Sequence, residues 1–158
     1  MSNQISDIMN GPISGIMTKK LWTVIPTDSL TVVRDLFTQH NIHHIPVVRH
    51  KELLGVISRT DYYRLLHGPR LEDQNLASEI NEDILNKFTA ADLMTKHVAT
   101  LQSDDKIGSA AELFLENVFH AVPVMNSDNE LEGMITSYDI IKTFFHEAYP
   151  NQDLNQIK

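Results

Sequence analysis

The chain has 158 residues, no cysteine and a formal net charge of −8. Without cysteine it can form no disulfide, thiolate metal site or thiol nucleophile, and its acidic balance argues against a nucleic-acid-binding protein, which usually carries a basic face. No apolar run approaches the ~20 residues that cross a bilayer, and the N-terminus lacks the basic-then-apolar pattern of a signal peptide. We therefore expect a cytoplasmic protein with no nucleic-acid or membrane partner, although a local basic pocket for a small anion is compatible with an acidic chain.

The chain begins with a polar leading segment, residues 1–13. Its Ile5, Ile8 and Met9 allow either a short helix or a loose stretch. Trp22–Ile25 is rich in β-forming residues and is predicted to be a short strand.

A helix, a hairpin and a second helix are predicted next. Asp28 or Ser29 can cap the first helix. Its apolar residues recur at helical spacing and are Leu30, Val33, Leu36 and Phe37. Two apolar runs separated by a polar turn, residues 45–48 and 53–57, predict the hairpin. Asp61 is predicted to start the second helix.

An acidic linker, residues 68–90, is predicted to contain an amphipathic helix. The apolar residues of that helix are Ile80, Ile84, Leu85 and Phe88. Beyond the linker, Asp104 or Asp105 can cap a further helix. Its apolar stripe comprises Ile107, Ala110, Ala111, Phe114 and Leu115.

The last elements repeat the earlier order. Residues 122–125 form the first arm of a predicted hairpin, with a polar turn at residues 126–130. Asp139 is predicted to start the final helix. The tail, residues 147–158, is polar and is predicted to be frayed.

The chain contains an internal repeat. The matching segments are Met17–Lys19 with Met94–Lys96, His43–Val47 with His120–Val124, and Gly55–Asp61 with Gly133–Asp139. The first two pairs are shifted by 77 residues and the third by 78, so the additional residue falls in the hairpin turn. Two similar units related by approximate symmetry are therefore predicted, and a site in one unit should have a counterpart in the other.

This series of segments resembles a known family. Met-Thr, strand, helix, His-x-x-Pro-Val, hairpin and Gly-x-x-Ser/Thr-x-x-Asp, in that order, is similar to the CBS domain, named for cystathionine β-synthase. Two copies in tandem, over residues 14–67 and 91–146, resemble a stand-alone CBS pair, or Bateman module. The resemblance implies an α+β fold in which two βαββα repeats pack sheet to sheet about a pseudo-two-fold axis.

The resemblance also implies a function. Such modules commonly bind an adenosine compound reversibly, namely AMP, ADP, ATP or S-adenosylmethionine, for regulation such as energy sensing. They are not enzymes, hold no resident cofactor and often form homodimers. Output would pass to a separate protein that the sequence does not identify. The alternative function is a ligand-free dimeric scaffold for such a partner.

The family pattern places two composite ligand clefts, each built from both repeats. Cleft A comprises Thr18, Trp22, Ile42, His120, Thr136 and Asp139. Cleft B comprises Thr95, Ala99, Phe119, His43, Ser58, Arg59 and Asp61.

Each polar residue of the clefts has a chemical role and a structural alternative. The carboxylates of Asp61 and Asp139 can accept hydrogen bonds from both ribose hydroxyls, or each can serve as a helix cap. Ser58 and Thr136, close to a helix N-terminus, would favour a phosphate. Arg59 can bind phosphate in bidentate fashion or remain a solvated surface charge. Its counterpart Ser137 cannot bind in this way, so the two clefts should differ in phosphate affinity.

The remaining cleft residues also have both a ligand-binding role and a structural alternative. His43 and His120 can face the phosphates or can simply open a strand as half-buried side chains. The adenine slots would be lined by Thr18, Trp22 and Ile42 in cleft A and by Thr95, Ala99 and Phe119 in cleft B, and ordinary core packing is the alternative for all six. Trp22 is large where Ala99 is small, so it either stacks on a base or fills the slot.

The sequence disfavours two other chemistries, a metal site and serine hydrolysis. His40, His43, His44 and His50 lie close in sequence, but no Asp or Glu is placed as an evident third ligand, which disfavours a metal site. The sequence contains no Gly-x-Ser-x-Gly motif, which would be expected of a serine hydrolase with a nucleophile elbow. The sequence thus predicts neither a catalytic residue nor a bound metal.

Overall fold

The computed structural model describes residues 2–67, 82–116 and 119–150. Its helices are α1 (Ser2–Asn10), α2 (Leu30–Gln39), α3 (Arg59–His67), α4 (Glu82–Lys87), α5 (Ala90–Leu93), α6 (Ile107–Leu115) and α7 (Ser137–Ala148), with a 3₁₀ turn at Ile13–Gly15. Its strands are β1 (His44–Arg49), β2 (Glu52–Ser58), β3 (Leu101–Gln102), β4 (Ala121–Met125) and β5 (Leu131–Thr136). The predicted α+β class is confirmed.

Parts of two predicted segments lie outside the described residues. They are residues 68–81 of the linker, with Ile80, and residues 151–158 of the tail. The described part of the linker contains α4, where Leu85 is fully buried and Phe88 packs against the same core. No described helix has the length and apolar character needed to cross a membrane.

The chain divides into two compact units, one of residues 1–20 and 99–158 and the other of residues 21–98. In the second of these, β1 and β2 form the predicted antiparallel hairpin, with Val47 opposite Gly55. The hairpin turns at His50 and Lys51, whose φ angles are 49° and 71°. These left-handed values are those of a tight two-residue hairpin turn.

The predicted strand Trp22–Ile25 is wrong in extent. Val24 alone forms a bridge, parallel to Val47. The adjacent Ile25 N–H donates to Asp28 Oδ2 at 2.8 Å, which turns the chain away from the sheet before a ladder can extend. Asp28 is therefore a turn residue. Ser29 occupies the N-cap position of α2, but its side chain makes no capping hydrogen bond.

The core of residues 21–98 forms where α2 packs on the hairpin. The predicted helix residues Leu30, Val33 and Phe37 are buried, as are Ile45 and Ile57. Further along this unit, Thr89 is the N-cap residue of α5, and its N–H and Oγ1 both donate to Asp92 Oδ2 at 2.8 Å. The backbone hydrogen bond, followed by the hydroxyl bond, lowers the pKa of the Asp92 carboxyl from its ordinary value.

The other unit contains a three-stranded sheet in the order β3-β4-β5. The pairing of β4 with β5 is the predicted second hairpin. Two details of α6 were predicted wrongly. Its N-cap is Lys106, not Asp104 or Asp105, because Asp105 Oδ2 instead accepts the Gln102 N–H at 2.7 Å. Leu115, placed in the apolar stripe, is 83% exposed at the last turn of the helix.

The leading segment is an ordered part of this same unit. Of the two predicted possibilities, a short helix or a loose stretch, it forms the helix, α1. Ile8 and Met9 pack against the core that includes Ile107. Backbone hydrogen bonds hold the chain that follows, from Ile13 N to Asp105 O at 2.8 Å and from Ile107 N to Gly11 O at 2.9 Å. Residues 2–20 therefore fold with the second repeat.

Candidate ligand-binding site

Each Met-Thr segment pairs with the hairpin of the other repeat. Thr18 N donates to Met134 O at 2.9 Å, and Met134 N donates to Thr18 O at 3.0 Å. The equivalent pair, Thr95 and Val56, forms the same two bonds at 2.9 and 3.0 Å. The two repeats thus exchange these segments, so that Thr18 lies beside β5 and Thr95 beside β2.

The glycines of the two Gly-x-x-Ser/Thr-x-x-Asp motifs allow this close approach. A Cβ built on Gly133 would lie 2.7 Å from Met17 Sδ and 2.9 Å from Thr18 O. A Cβ on Gly55 would lie 2.5 Å from Thr95 O. Any other residue would meet the exchanged backbone, so glycine is required here for space.

The second motif forms a capping box at the start of α7. Thr136 N and Thr136 Oγ1 donate to Asp139 Oδ2 at 2.8 and 2.6 Å, while Asp139 N donates to Thr136 Oγ1 at 3.3 Å. The helix therefore begins at Ser137, and the prediction that Asp139 starts it was wrong by two residues. All the carboxylate bonds go to Oδ2; among the described residues nothing hydrogen-bonds or ion-pairs with Asp139 Oδ1.

A cavity of about 540 Å³ opens beside this capping box. It is lined by Gly15, Ile16, Met17, Thr18, Asp139, Lys142, Thr143, His146 and Glu147. Thr18 from the first repeat and Asp139 from the second therefore share one cavity within one compact unit. Such a volume falls in the range of small-molecule sites.

The other residues assigned to cleft A lie in different places. Thr136 is at the N-cap of α7, and His120 is exposed immediately before β4. Trp22 and Ile42 belong to the compact unit of residues 21–98. The Trp22 ring stacks on His40, with centroids 3.9 Å apart and planes 10° from parallel. Trp22 remains 43% exposed.

The first motif, in cleft B, has a similar cap but a different carboxylate environment. Ser58 Oγ donates to Asp61 Oδ2 at 2.6 Å, and Asp61 N donates to Ser58 Oγ at 3.0 Å. As in the second repeat, the helix starts two residues before the aspartate. Here, however, Arg64 Nη1 donates to Asp61 Oδ1 at 3.0 Å. Both oxygens of Asp61 are thus engaged, whereas Asp139 keeps Oδ1 available.

Arg59 makes contacts inside its own unit. Its Nη2 donates to the carbonyl oxygen of Phe37, and its guanidinium lies 5.7 Å from the centroid of the Phe37 ring. The Arg59 Nε is buried without a hydrogen-bond partner. In the structure this side chain is therefore partly buried against Phe37 and is not a solvated surface charge.

The remaining cleft B residues divide between the two units. Thr95 and His43 are exposed in the unit of residues 21–98, and the His43 carbonyl accepts the Arg59 N–H at 2.8 Å. Ala99 and Phe119 belong to the other unit and are partly buried, with Phe119 packed against its core.

Sequence reasoning missed the α7 residues that line the cavity: Lys142, Thr143, His146 and Glu147. The signal was available for the first three, because positions three, four and seven residues after Asp139 share its helical face. No three His, Asp or Glu side chains converge on a metal-sized site within the described ranges 2–67, 82–116 and 119–150.

Known proteins share this arrangement of repeated motifs. A family model for the CBS domain matches residues 13–68 and 90–146, most of the chain. The chain belongs to the CBS domain family. The similarity to solved CBS-pair structures covers nearly the whole length of several of them.

Three solved structures illustrate the relationship of this CBS pair to others. Protein MJ1225 from Methanocaldococcus jannaschii is 26% identical, with a TM-score of 0.73 over 90% of this chain and 51% of that one. The CBS pair of protein MJ0100, in complex with 5′-methylthioadenosine and S-adenosyl-L-methionine, is 25% identical. The match has a TM-score of 0.68 and covers 86% of this chain and 97% of that one. CBSX2 from Arabidopsis thaliana is 23% identical, with a TM-score of 0.75 over 90% of this chain and 99% of that one. This likeness concerns the fold alone.

The curated relatives matched first are longer than this CBS pair. The chain spans 48% of MJ1225, 41% of a second Methanocaldococcus jannaschii protein, MJ1232, and 27% of a homoserine O-acetyltransferase from Methanococcus vannielii. The last is 30% identical over 145 residues. CBS pairs related to this chain therefore also occur within enzymes.

Proposed function

We propose that this CBS pair is a non-catalytic regulatory module that binds an adenosine compound: AMP, ADP, ATP or S-adenosylmethionine. The observation that carries the proposal is the free Oδ1 of Asp139 at a 540 Å³ cavity that also contains Thr18. Because Thr136 fixes the other oxygen, the carboxylate is held in place while one oxygen remains open to ribose hydroxyls. The adenosine ligands of the related MJ0100 pair support the same ligand class here.

The full site is proposed as the composite set inferred from the family. Cleft A comprises Thr18, Trp22, Ile42, His120, Thr136 and Asp139, and cleft B comprises Thr95, Ala99, Phe119, His43, Ser58, Arg59 and Asp61. Cleft A is the stronger candidate because in cleft B Arg64 already binds the second oxygen of Asp61. Ligand binding would then regulate a separate protein through the module's surface.

Thermal unfolding tests this function. The protein is heated with AMP, ADP, ATP and S-adenosylmethionine, and with GTP as the base-specificity control. A ligand at a hundred times its Kd stabilises the folded state by about 2.7 kcal/mol, a shift of several degrees for this size. The Asp139→Ala variant should lose most of the adenosine response and keep only the weaker binding expected at Asp61.

Asp92→Ala is the matched control variant. Asp92 makes the same two hydrogen bonds to Thr89 that Asp139 makes to Thr136, at the start of a helix. Both variants lose a helix cap, but only Asp139 lines the cavity. Loss of the ligand response in both variants, or in neither, would contradict a ribose-binding role for Asp139.

The second candidate function, a dimeric scaffold, is favoured by one surface. Tyr138 and Ile141 in α7 are 62% and 65% exposed, and Tyr149, the C-cap residue of that helix, is 52% exposed. Together with Phe145 between them they form one stripe. Apolar groups exposed together in this way are typical of protein interfaces. We propose a homodimer through this stripe. Sedimentation equilibrium should detect a dimer that Ile141→Glu dissociates, and a monomeric wild-type protein would exclude it.

A further inference from the structure

The cavity at Asp139 carries charges of both signs. Two carboxylates, Asp139 and Glu147, and the ammonium group of Lys142 line it. Within the part of the chain that the structure describes, Lys142 forms no hydrogen bond or ion pair. Its ammonium group is therefore available to a ligand. With His146 counted as neutral, the described lining carries two negative charges and one positive charge.

Glu147 accepts a hydrogen bond from the leading helix. Gln4 Nε2 in α1 donates to Glu147 Oε1 at 3.3 Å, which leaves Oε2 as an acceptor. The leading segment thus supports a cavity residue across a long sequence separation. Glu147 follows Lys142 by five residues, about 7.5 Å along the helix axis, and both line the same cavity.

This charge arrangement discriminates among the adenosine compounds. A polyphosphate would bring several negative charges toward Asp139 and Glu147. Among the described residues, Lys142 is the only lysine or arginine that lines the cavity and could offset them. An α-amino acid group carries one carboxylate and one ammonium group, which Lys142 and Glu147 can bind respectively. Like charges repel and opposite charges attract, so the zwitterion is the better match to a lining that carries both signs.

We propose that this cavity binds an adenosine joined to an α-amino acid, the class of S-adenosylmethionine and S-adenosylhomocysteine. Asp139 would bind the ribose, Lys142 the amino acid carboxylate, and Glu147 the amino acid ammonium group. This inference rests on the proposed adenosine-binding function and selects one chemical class within it.

Isothermal titration of the full chain tests the inference with four compounds: S-adenosylmethionine, S-adenosylhomocysteine, 5′-methylthioadenosine and AMP. Methylthioadenosine lacks the amino acid, and S-adenosylhomocysteine lacks the sulfonium charge. We expect both amino acid compounds to bind more tightly than methylthioadenosine. Lys142→Met and Glu147→Gln should each weaken S-adenosylhomocysteine about two- to fivefold, the range for a partly exposed ion pair, and leave methylthioadenosine unchanged.

Charge reversal provides the controlled comparison. Glu147→Lys should weaken S-adenosylmethionine and strengthen AMP. Glu112→Lys makes the same charge change on an exposed residue of α6 that does not line the cavity, and it should leave the ratio of the two affinities unchanged. An equal shift in both variants would mean that only the overall charge of the protein matters and would overturn the inference.

Two further outcomes separate this inference from the proposed function. In the first outcome, AMP binds tightly, Lys142→Met weakens it, and the amino acid compounds are not preferred. This result would assign Lys142 to a phosphate and overturn the inference, while adenosine binding would stand. Binding of none of the four compounds would remove the proposed function itself, and with it this inference.

Discussion

Thr18 and Met134 are joined by two backbone hydrogen bonds, of 2.9 and 3.0 Å, although they lie in different repeats. This pairing places Thr18 at the wall of the cavity that contains Asp139. Because the bonds are between backbone groups, they fix the position of the segment irrespective of its side chains. The cavity therefore depends on how closely the segment can approach β5, and Gly133 determines that distance.

Gly133→Ala should destabilise the protein by about 1–3 kcal/mol, the usual cost of overpacking. The new methyl group would meet Met17 Sδ at 2.7 Å and Thr18 O at 2.9 Å, and the backbone oxygen cannot move without straining the paired bonds. Urea unfolding measures the loss. Gly15→Ala is the control, because a Cβ there has nothing within 4 Å and should change stability by less than about 0.5 kcal/mol. Equal stability of the two variants would show that β5 and the Met-Thr segment are less closely held.

Arg59→Met should reduce the free energy of unfolding by about 1–3 kcal/mol. The substitution removes the hydrogen bond to Phe37 O and the contact of the guanidinium with the Phe37 ring, and it leaves a carbonyl without its donor. Arg64→Met is the control, since Arg64 is largely exposed and its ion pair should contribute less than about 1 kcal/mol. Unchanged stability of Arg59→Met, together with weaker nucleotide binding, would instead support the phosphate-binding role.

The sequence predicted the repeat, the two hairpins and most of the core because these depend on local patterns. Alternating or continuous apolar residues between turns define the hairpins, and Val33 and Phe37 lie on one helical face. The helix starts were less accurate. A capping aspartate can occupy either the N-cap or the third helical position, and the Thr136–Asp139 box uses the latter.

The site was less predictable because it depends on contacts between distant segments and on side-chain direction. The family resemblance placed Thr18 with Asp139, but local periodicity alone could not have done so. Nothing in the order of residues shows that Arg59 turns toward Phe37 or that Arg64 binds Asp61. Glu147 became a site candidate only through the cavity that it lines.

The stacked pair of Trp22 and His40 should show a coupling energy of about 0.5–1 kcal/mol. Parallel rings with centroids 3.9 Å apart gain dispersion energy that neither ring retains when the other is removed. A double-mutant cycle with Trp22→Leu and His40→Leu, followed by urea unfolding, measures it. The same cycle with His43→Leu is the control, because the described contacts of Trp22 include no stack on His43. Equal coupling in both cycles would show that the stack adds no specific stability.

Arg64→Met should strengthen adenosine binding at Asp61. The substitution releases Oδ1, which now accepts from Arg64 Nη1 at 3.0 Å, and gives Asp61 the open oxygen that Asp139 already has. Because this exposed ion pair contributes less than about 1 kcal/mol, the expected gain is about two- to fivefold. Titration in an Asp139→Ala background isolates the first motif from the second.

The matched control for that titration is Arg49→Met, which removes an exposed arginine at the end of β1, away from Asp61 in sequence. It should leave binding unchanged, because the effect of Arg64 is expected through a direct bond and not through net charge. An equal gain in both variants would attribute the change to net charge. Weaker binding by Arg64→Met would show that the guanidinium contacts the ligand itself, so that the first motif would bind through Arg64 where the second uses the free carboxylate oxygen of Asp139.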